Sequence, residues 1–318
     1  MLLGRTANGL FWMARYLERA ESMARLLDAG QHLTLTRGTR PADWHSVLAA
    51  AGVDGAFAQG GGATEGKAVI DFMLRDPSNP SSVRGAFESA RANARSVRTA
   101  LTRDSWEAIN QSWREIDGLL ARPVCATELP ATLATVKRTS ALIRGMLVNT
   151  MLRNDIFEFI QLGTAVERAD MTARTLDVKY HVLLPSASWV GSPLDITQWE
   201  SILRSVSAHK SFHWIYGPET TPADIIDYLM LNARMPRSLA FCYGVLNDSL
   251  RQLAREYGST PPSHMQARAI ASGLAGADVA QIVDEGLHEV LQRFLRDNAA
   301  LGEQIASDYN FIGDTACV

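Results

Sequence analysis

Glu18-Arg19-Ala20-Glu21-Ser22-Met23-Ala24-Arg25-Leu26-Leu27-Asp28 returns 149 positions later as Glu167-Arg168-Ala169-Asp170-Met171-Thr172-Ala173-Arg174-Thr175-Leu176-Asp177. Each copy of this string, E-R-A-[ED]-x-x-A-R-x-L-D, lies in a long stretch with apolar residues at helical spacing. At steps of about 100° per residue, the first copy lays Trp12, Met13, Tyr16, Leu17, Ala20, Met23, Ala24 and Leu27 along one side. Arg15, Glu18, Arg19, Glu21, Ser22, Arg25 and Asp28 take the other side. The pattern predicts an amphipathic helix over 6–32 with one buried face.

The repetition continues outward. Asp43-Trp44-His45-Ser46-Val47-Leu48 is echoed by Gln198-Trp199-Glu200-Ser201-Ile202-Leu203, at an offset of 155. Asp71-Phe72-Met73-Leu74 and Pro80-Ser81-Ser82-Val83 are echoed by Asp227-Tyr228-Leu229-Met230 and Pro236-Arg237-Ser238-Leu239, at 156. Three blocks in one order at nearly constant spacing indicate an internal duplication. Further helical patterns cover 43–51, 104–121, 129–152, 157–184, 196–207, 222–231, 237–257, 264–273 and 278–308, and Ser81 or Ser82 can cap another that runs to 101. Pro123, Pro130 and Pro185 mark breaks, and the Gly-rich stretch 52–66 reads as a loop. Alternating β-branched runs bounded by turn pairs are absent. The expected fold is therefore all-α: a helical bundle built from two internally duplicated halves, 1–150 and 151–318, sharing a core because no Gly/Ser/Pro linker interrupts 149–155.

Composition removes several functions. Across 318 residues, 31 basic side chains face 34 acidic ones for a net charge of -3, so no sequence-independent grip on nucleic acid or anionic membrane is implied. Of the basic residues 27 are Arg and 4 are Lys. Cys125, Cys242 and Cys317 are too widely spaced for a zinc or disulfide framework. The first nine residues lack the apolar core and cleavage site of a signal peptide, and no apolar run approaches the ~20 residues of a membrane span. A soluble, cytoplasmic protein is expected.

Candidate chemistry centres on Glu18, Arg19, Glu167 and Arg168. Ile160 and Met171 share a helix stripe with Glu167, while Phe11 and Leu26 intrude on the charged arc around Glu18, so both carboxylates are expected to be at least partly buried with charged or hydrogen-bonding partners. Three readings stand: a structural cross-pair of Glu18 with Arg168 and Glu167 with Arg19, the lining of a polar ligand pocket joined by Arg15, Arg25 and Arg174, or a solvated face with Glu21–Arg25 and Asp170–Arg174 pairs. Arg84, Arg91, Arg95 and Arg98 fall on one helix face and call for an anion or a neighbouring acidic helix. The 61–68 stretch resembles a phosphate-binding loop, yet Ala68 lacks the magnesium-holding hydroxyl and no strand precedes it. Glu285-Gly286-Leu287-His288 matches one half of a di-iron bundle motif that needs two. No metal set, cofactor motif or catalytic nucleophile emerges.

Residues 3–21, together with Ala90-Arg91-Ala92-Asn93-Ala94-Arg95 and Leu162-Gly163-Thr164-Ala165-Val166-Glu167-Arg168-Ala169-Asp170, resemble the bacterial alpha-E domain family, named for an all-helical fold and its E-R motif. The motif maps onto Glu18, Arg19, Glu167 and Arg168; the Gly-rich stretch 52–66 stands outside the pattern. Genes of the family tend to sit beside a circularly permuted ATP-grasp ligase and a transglutaminase-like cysteine peptidase. The resemblance thus implies a role in making, modifying or trimming a peptide or amide-linked molecule. One expectation is a non-catalytic partner or substrate-presenting module for the ligase. Its rival is an enzyme using Glu18 or Glu167 as base, with adjacent arginines holding an anionic substrate.

Overall fold

Residues Gly4–Arg37 carry no proline and form one 34-residue helix, α1, in the computed structural model, which describes residues 2–37, 41–61, 65–181 and 193–311. It is followed by α2 (Pro41–Ala51), α3 (Asp54–Gln59), α4 (Gly66–Leu74), α5 (Val83–Ser96), α6 (Arg103–Leu119) and α7 (Leu129–Thr150). Then come α8 (Asp155–His181), α9 (Pro193–Ser205), α10 (His209–Tyr216), α11 (Pro222–Ile226), α12 (Leu239–Tyr257), α13 (Pro262–Gly276), α14 (Val279–Glu285) and α15 (Leu287–Asp308). No strand occurs among the described residues, and the protein is all-α.

The two long E-R helices, α1 and α8, pack on each other at the centre. Around α1 stand α5 and α7, with α6 packed on both; around α8 stand α12 and α15, with α13 packed on both. Helix α2 touches α8 as well as α1, and α9 touches α1 as well as α8. Buried apolar side chains from all of these helices join in one continuous cluster.

This central position overturns the one-faced reading of α1. Glu18, Glu21 and Ser22, on the charged arc, are as buried as Ala20 and Leu27 opposite them, which for Glu18 goes beyond the partial burial its sequence neighbours predict. Where α1 is enclosed by its neighbours, at Glu18 and Glu21, no solvent face is left for its charges and these carboxylates need protein partners, whereas Asp28 farther along stays exposed.

Helices α1 and α8 approach closely at Gly163. A Cβ there would lie 2.2 Å from the Phe11 carbonyl oxygen, a backbone atom with no freedom to retreat. Gly163→Ala is expected to prise the two helices apart and destabilise the fold by about 1–3 kcal/mol, read as a lower urea midpoint at unchanged m.

Several element ends follow from local chemistry. Ser82 Oγ accepts from the Gly85 N–H at 3.2 Å and starts α5; Ser238 Oγ accepts from the Phe241 N–H at 3.0 Å and starts α12. Other boundaries differ from the pattern. The 52–66 loop contains α3, anchored by buried Phe57. Helices α4 and α10 are additions: α4 buries Val69, Ile70, Phe72, Met73 and Leu74 on one side and turns Lys67 and Asp71 to the other. Helix α5 ends at Ser96, before a 3-10 turn at Arg98–Ala100. The single helix expected over 278–308 is two, split at Gly286 with φ +102°, a conformation glycine tolerates. The expected end of α8 near 184 lies outside the described residues, as does Cys317.

Candidate functional site

Every E-R residue lies where α1 and α8 meet. The Glu18 side chain, 1% exposed, accepts from Arg168 Nε at 3.1 Å and Nη2 at 2.9 Å, from Arg237 Nη1 at 2.7 Å and from Arg144 Nη2 at 3.1 Å. Glu167, equally buried, accepts from Arg19 Nε at 2.6 Å and Nη2 at 3.2 Å, and from Arg15 Nε at 2.8 Å. Each E-R motif thus gives its glutamate to the arginine of the other. Glu21 is drawn in as well, accepting from Arg25 Nε at 2.9 Å, from Arg237 Nη2 at 3.1 Å and from Arg144. Arg237 forks between Glu18 and Glu21 from the turn that precedes the Ser238 cap.

The charges do not cancel. Six arginines (15, 19, 25, 144, 168 and 237) face three glutamates (18, 21 and 167), an excess of three positive charges in a largely buried cluster. Burial pushes the Glu167 carboxyl up, but Arg19 and Arg15 more than reverse this and hold it at about 2. Burial likewise opposes Glu18, and Arg168, Arg237 and Arg144 hold it well below the ordinary carboxylate range. Glu21 is lowered too, against burial and the neighbouring Glu18, by Arg237, Arg144 and Arg25. For the Arg237 guanidinium burial wins: its pKa falls, Glu18 pulling it up and Arg168 pushing it down.

Beside the cluster, between α7, α8 and α12, opens a cavity of about 210 Å³ whose wall includes Arg144, Arg168, Gln161 and Thr164 among apolar side chains. Cys242 also lines it, and burial pushes its thiol up to about 12, too high for a nucleophile at neutral pH.

Arg174 pairs with Asp170 at 2.6 Å, next to Gly52, at the edge of the cluster where it still feels Glu167 and Arg19. The other candidates lie apart. Arg84 and Arg91 are taken by α6, through Asp117 at 2.7 Å and Asn110 at 2.8 Å; Arg95 is exposed on the same helix, and Arg98 stacks over Trp106. The structure does not bring Arg91 or Arg95 to the glutamates. Glu285 pairs with Arg293, whereas His288 Nδ1 meets Asp177 at 2.6 Å, so the break at Gly286 sends the two halves of the E-x-x-H string apart. Among the described residues no group of three or more His, Cys, Asp or Glu converges as a metal site would need. Sequence reasoning missed Arg144, Arg237 and the second role of Glu21. Arg144 had no signal; Arg237 stood in a repeat block at a position where the two copies differ.

A buried pair of exchanged Glu-Arg motifs at the crossing of two central helices defines an all-helical protein organised by its E-R strings. The chain belongs to the Alpha-E family, described as a predicted alpha-helical domain with a conserved ER motif, whose profile matches residues 2–309. Uncharacterized proteins of Mycobacterium bovis and Mycobacterium tuberculosis are 25% identical to it over 292 residues, which cover 82% of this chain and 31% of theirs. The chain therefore spans about a third of the length of the curated relatives it matches. No solved structure matches it. No helix among the described residues is long and apolar enough to cross a membrane.

Proposed function

We propose that the chain is a non-catalytic helical module that holds the anionic end of a peptide or amide-linked small molecule and presents it to a separate enzyme. The observation that carries this reading is the arginine excess beside an open cavity: a purely structural ion-pair cluster gains nothing from three surplus cations on arginines that are only partly exposed, whereas an anionic ligand would balance them. The enzyme is the ATP-grasp ligase suggested by the family resemblance, with the transglutaminase-like peptidase acting on the same product in a cytoplasmic setting. That the Mycobacterium relatives carry further chain beyond the matched region supports a module that works beside other domains.

The rival, a Glu18 or Glu167 general base, is disfavoured by the same arginines. A carboxyl held at about 2 is a weak base at neutral pH. A di-metal carboxylate site is weaker still, because the three glutamates already spend their oxygens on guanidinium groups.

We further propose that the halves 1–150 and 151–318 arose by duplication and share the central α1–α8 pair. The matching order of packing supports it: α5, α6 and α7 around α1 correspond to α12, α13 and α15 around α8, and the Ser82 and Ser238 caps stand at aligned positions.

Co-expression with the neighbouring ligase tests the presenting role. The two chains are expected to co-elute, and ligase turnover on a peptide substrate to rise at least about tenfold when the module is present, the scale of a positioning effect. A ligase that works equally well alone, with no complex formed, would falsify the presenting role.

A further inference from the structure

The two glutamates at the helix crossing are not equally enclosed. Beside Glu167, α1 supplies Trp12, Arg15 and Tyr16: the Arg15 guanidinium carbon lies 4.5 Å from the Trp12 ring centroid, and the Trp12 and Tyr16 rings are 5.5 Å apart. Beside Glu18, the positions 149 residues later on α8 are Gln161, Thr164 and Ala165. All three line the cavity of about 210 Å³. Two aromatic rings and a guanidinium plug one side, and much smaller side chains leave the other open.

Arg144 stands in the wall of that opening. Its Nη2 serves Glu18 and Glu21, while Nε and Nη1 make no hydrogen bond among the described residues, and its side chain is 37% exposed. Arg15 also leaves its Nη groups unbonded, but it is 19% exposed and stacks on Trp12, so Arg144 is the most exposed guanidinium of the cluster and the one that lines the cavity with donors to spare. Leu147, Phe241 and Val245 make the cavity apolar on its other walls. The volume is below the ~300–1,000 Å³ of pockets that take whole drug-sized ligands, so it suits one residue rather than a cofactor. From its mouth an apolar stripe runs along α7 through Ala141, Gly145 and Val148, with Leu152 just past the helix end; Val148 and Leu152 are 42% and 75% exposed.

We infer that this cavity binds the C-terminal residue of a peptide: Arg144 takes the free carboxylate, and an aromatic or large aliphatic side chain fills the space that Trp12 and Tyr16 fill on the opposite side. The α7 stripe carries the preceding residues. Gln161 meets the peptide backbone with its amide, and the carboxylate offsets part of the arginine excess. This rests on the presenting role proposed above and names its ligand.

Calorimetric titration with acetyl-Gly-Phe as free acid, the same dipeptide as C-terminal amide, and succinate tests it on the wild-type chain, Arg144→Gln and Val148→Glu, with circular dichroism as a check of folding. The free acid is expected to bind at least about tenfold more tightly than the amide, as one charge-assisted contact warrants. Both variants are expected to lose that preference, Val148→Glu because it sets a carboxylate at the mouth. Should Arg144→Gln fail to fold, Val148→Glu, at a half-exposed position, decides alone. Equal binding of acid and amide overturns the inference. So does succinate binding as tightly as the dipeptide acid, although the presenting role then survives, since an anion is still held. If none of the three probes binds while the ligase is still stimulated, the inference falls and the presenting role again stands; if the acid binds and the ligase gains nothing, the reverse holds.

Discussion

Replacing Glu18 by alanine is expected to cost the fold about 3–5 kcal/mol, the scale of breaking a buried ion pair from one side. Glu18 is the one carboxylate that touches Arg144, Arg168 and Arg237 together, and the Arg168 and Arg237 side chains are 13% and 10% exposed. Without it Arg168 keeps the Pro236 carbonyl at 3.2 Å and no carboxylate, and the surplus of positive charge rises from three to four. Urea unfolding at pH 7 measures the loss. Removing the opposing charge as well should recover part of it, so Glu18→Met combined with Arg237→Met is expected to be more stable than Glu18→Ala alone. A loss below about 1 kcal/mol, the range of exposed pairs, would mean that water screens the cluster after all.

The long elements and the exchanged glutamates were legible because their signals are local and repeated. Helix α7 follows from the proline break before it and α8 from continuous apolar spacing, and Ser82 follows from capping chemistry. The helix-stripe neighbours of Glu167, Ile160 and Met171, point to its burial through spacing alone, and both are themselves buried. What the sequence hid is whatever depends on the packing of distant segments. Helix α1 reads as amphipathic because periodicity cannot tell a face turned to water from a face turned to other helices that bring the matching charges. Arg144 comes from α7 and Arg237 from the turn before α12, each a single arginine among 27. The break at Gly286 was visible as a glycine, but two helical patterns abutting on either side masked it.

The inequality of the two sides follows from a few side chains. Position 81 is serine and accepts from Arg19 at 3.4 Å, whereas its aligned position 237 is arginine and forks onto Glu18 and Glu21. Arg15 turns inward onto Glu167 and closes that side, whereas Thr164 at the equivalent place donates to the Ile160 carbonyl within its own helix and closes nothing. Charge therefore accumulates on the side where space is left. A binding role needs both, and only the Glu18 side has them.

Acid should dissolve this arrangement over a defined window. Glu167 is held at about 2, against 4.5 for an ordinary glutamate, so its folded-state pKa is depressed. Stability from such a group is fully present above the unfolded pKa and is lost as pH falls from about 4.5 through about 2, a loss of about 3 kcal/mol from Glu167 by the linkage relation. Glu18 and Glu21 are lowered in the same sense and share Arg144 and Arg237, so they titrate as a unit and steepen the fall. Glu167→Gln isolates one member. At pH 7 the variant is expected to be less stable than the wild type by about the same 3 kcal/mol, since Arg15 and Arg19 then face a neutral amide. Near pH 2 the wild-type carboxyl is about half protonated and all but roughly 0.4 kcal/mol of its contribution is gone, so the two chains should nearly converge. Urea midpoints at pH 7, 4.5, 3 and 2 measure this. A difference that stays constant across the series would assign the effect of Gln to packing, because a steric penalty does not titrate.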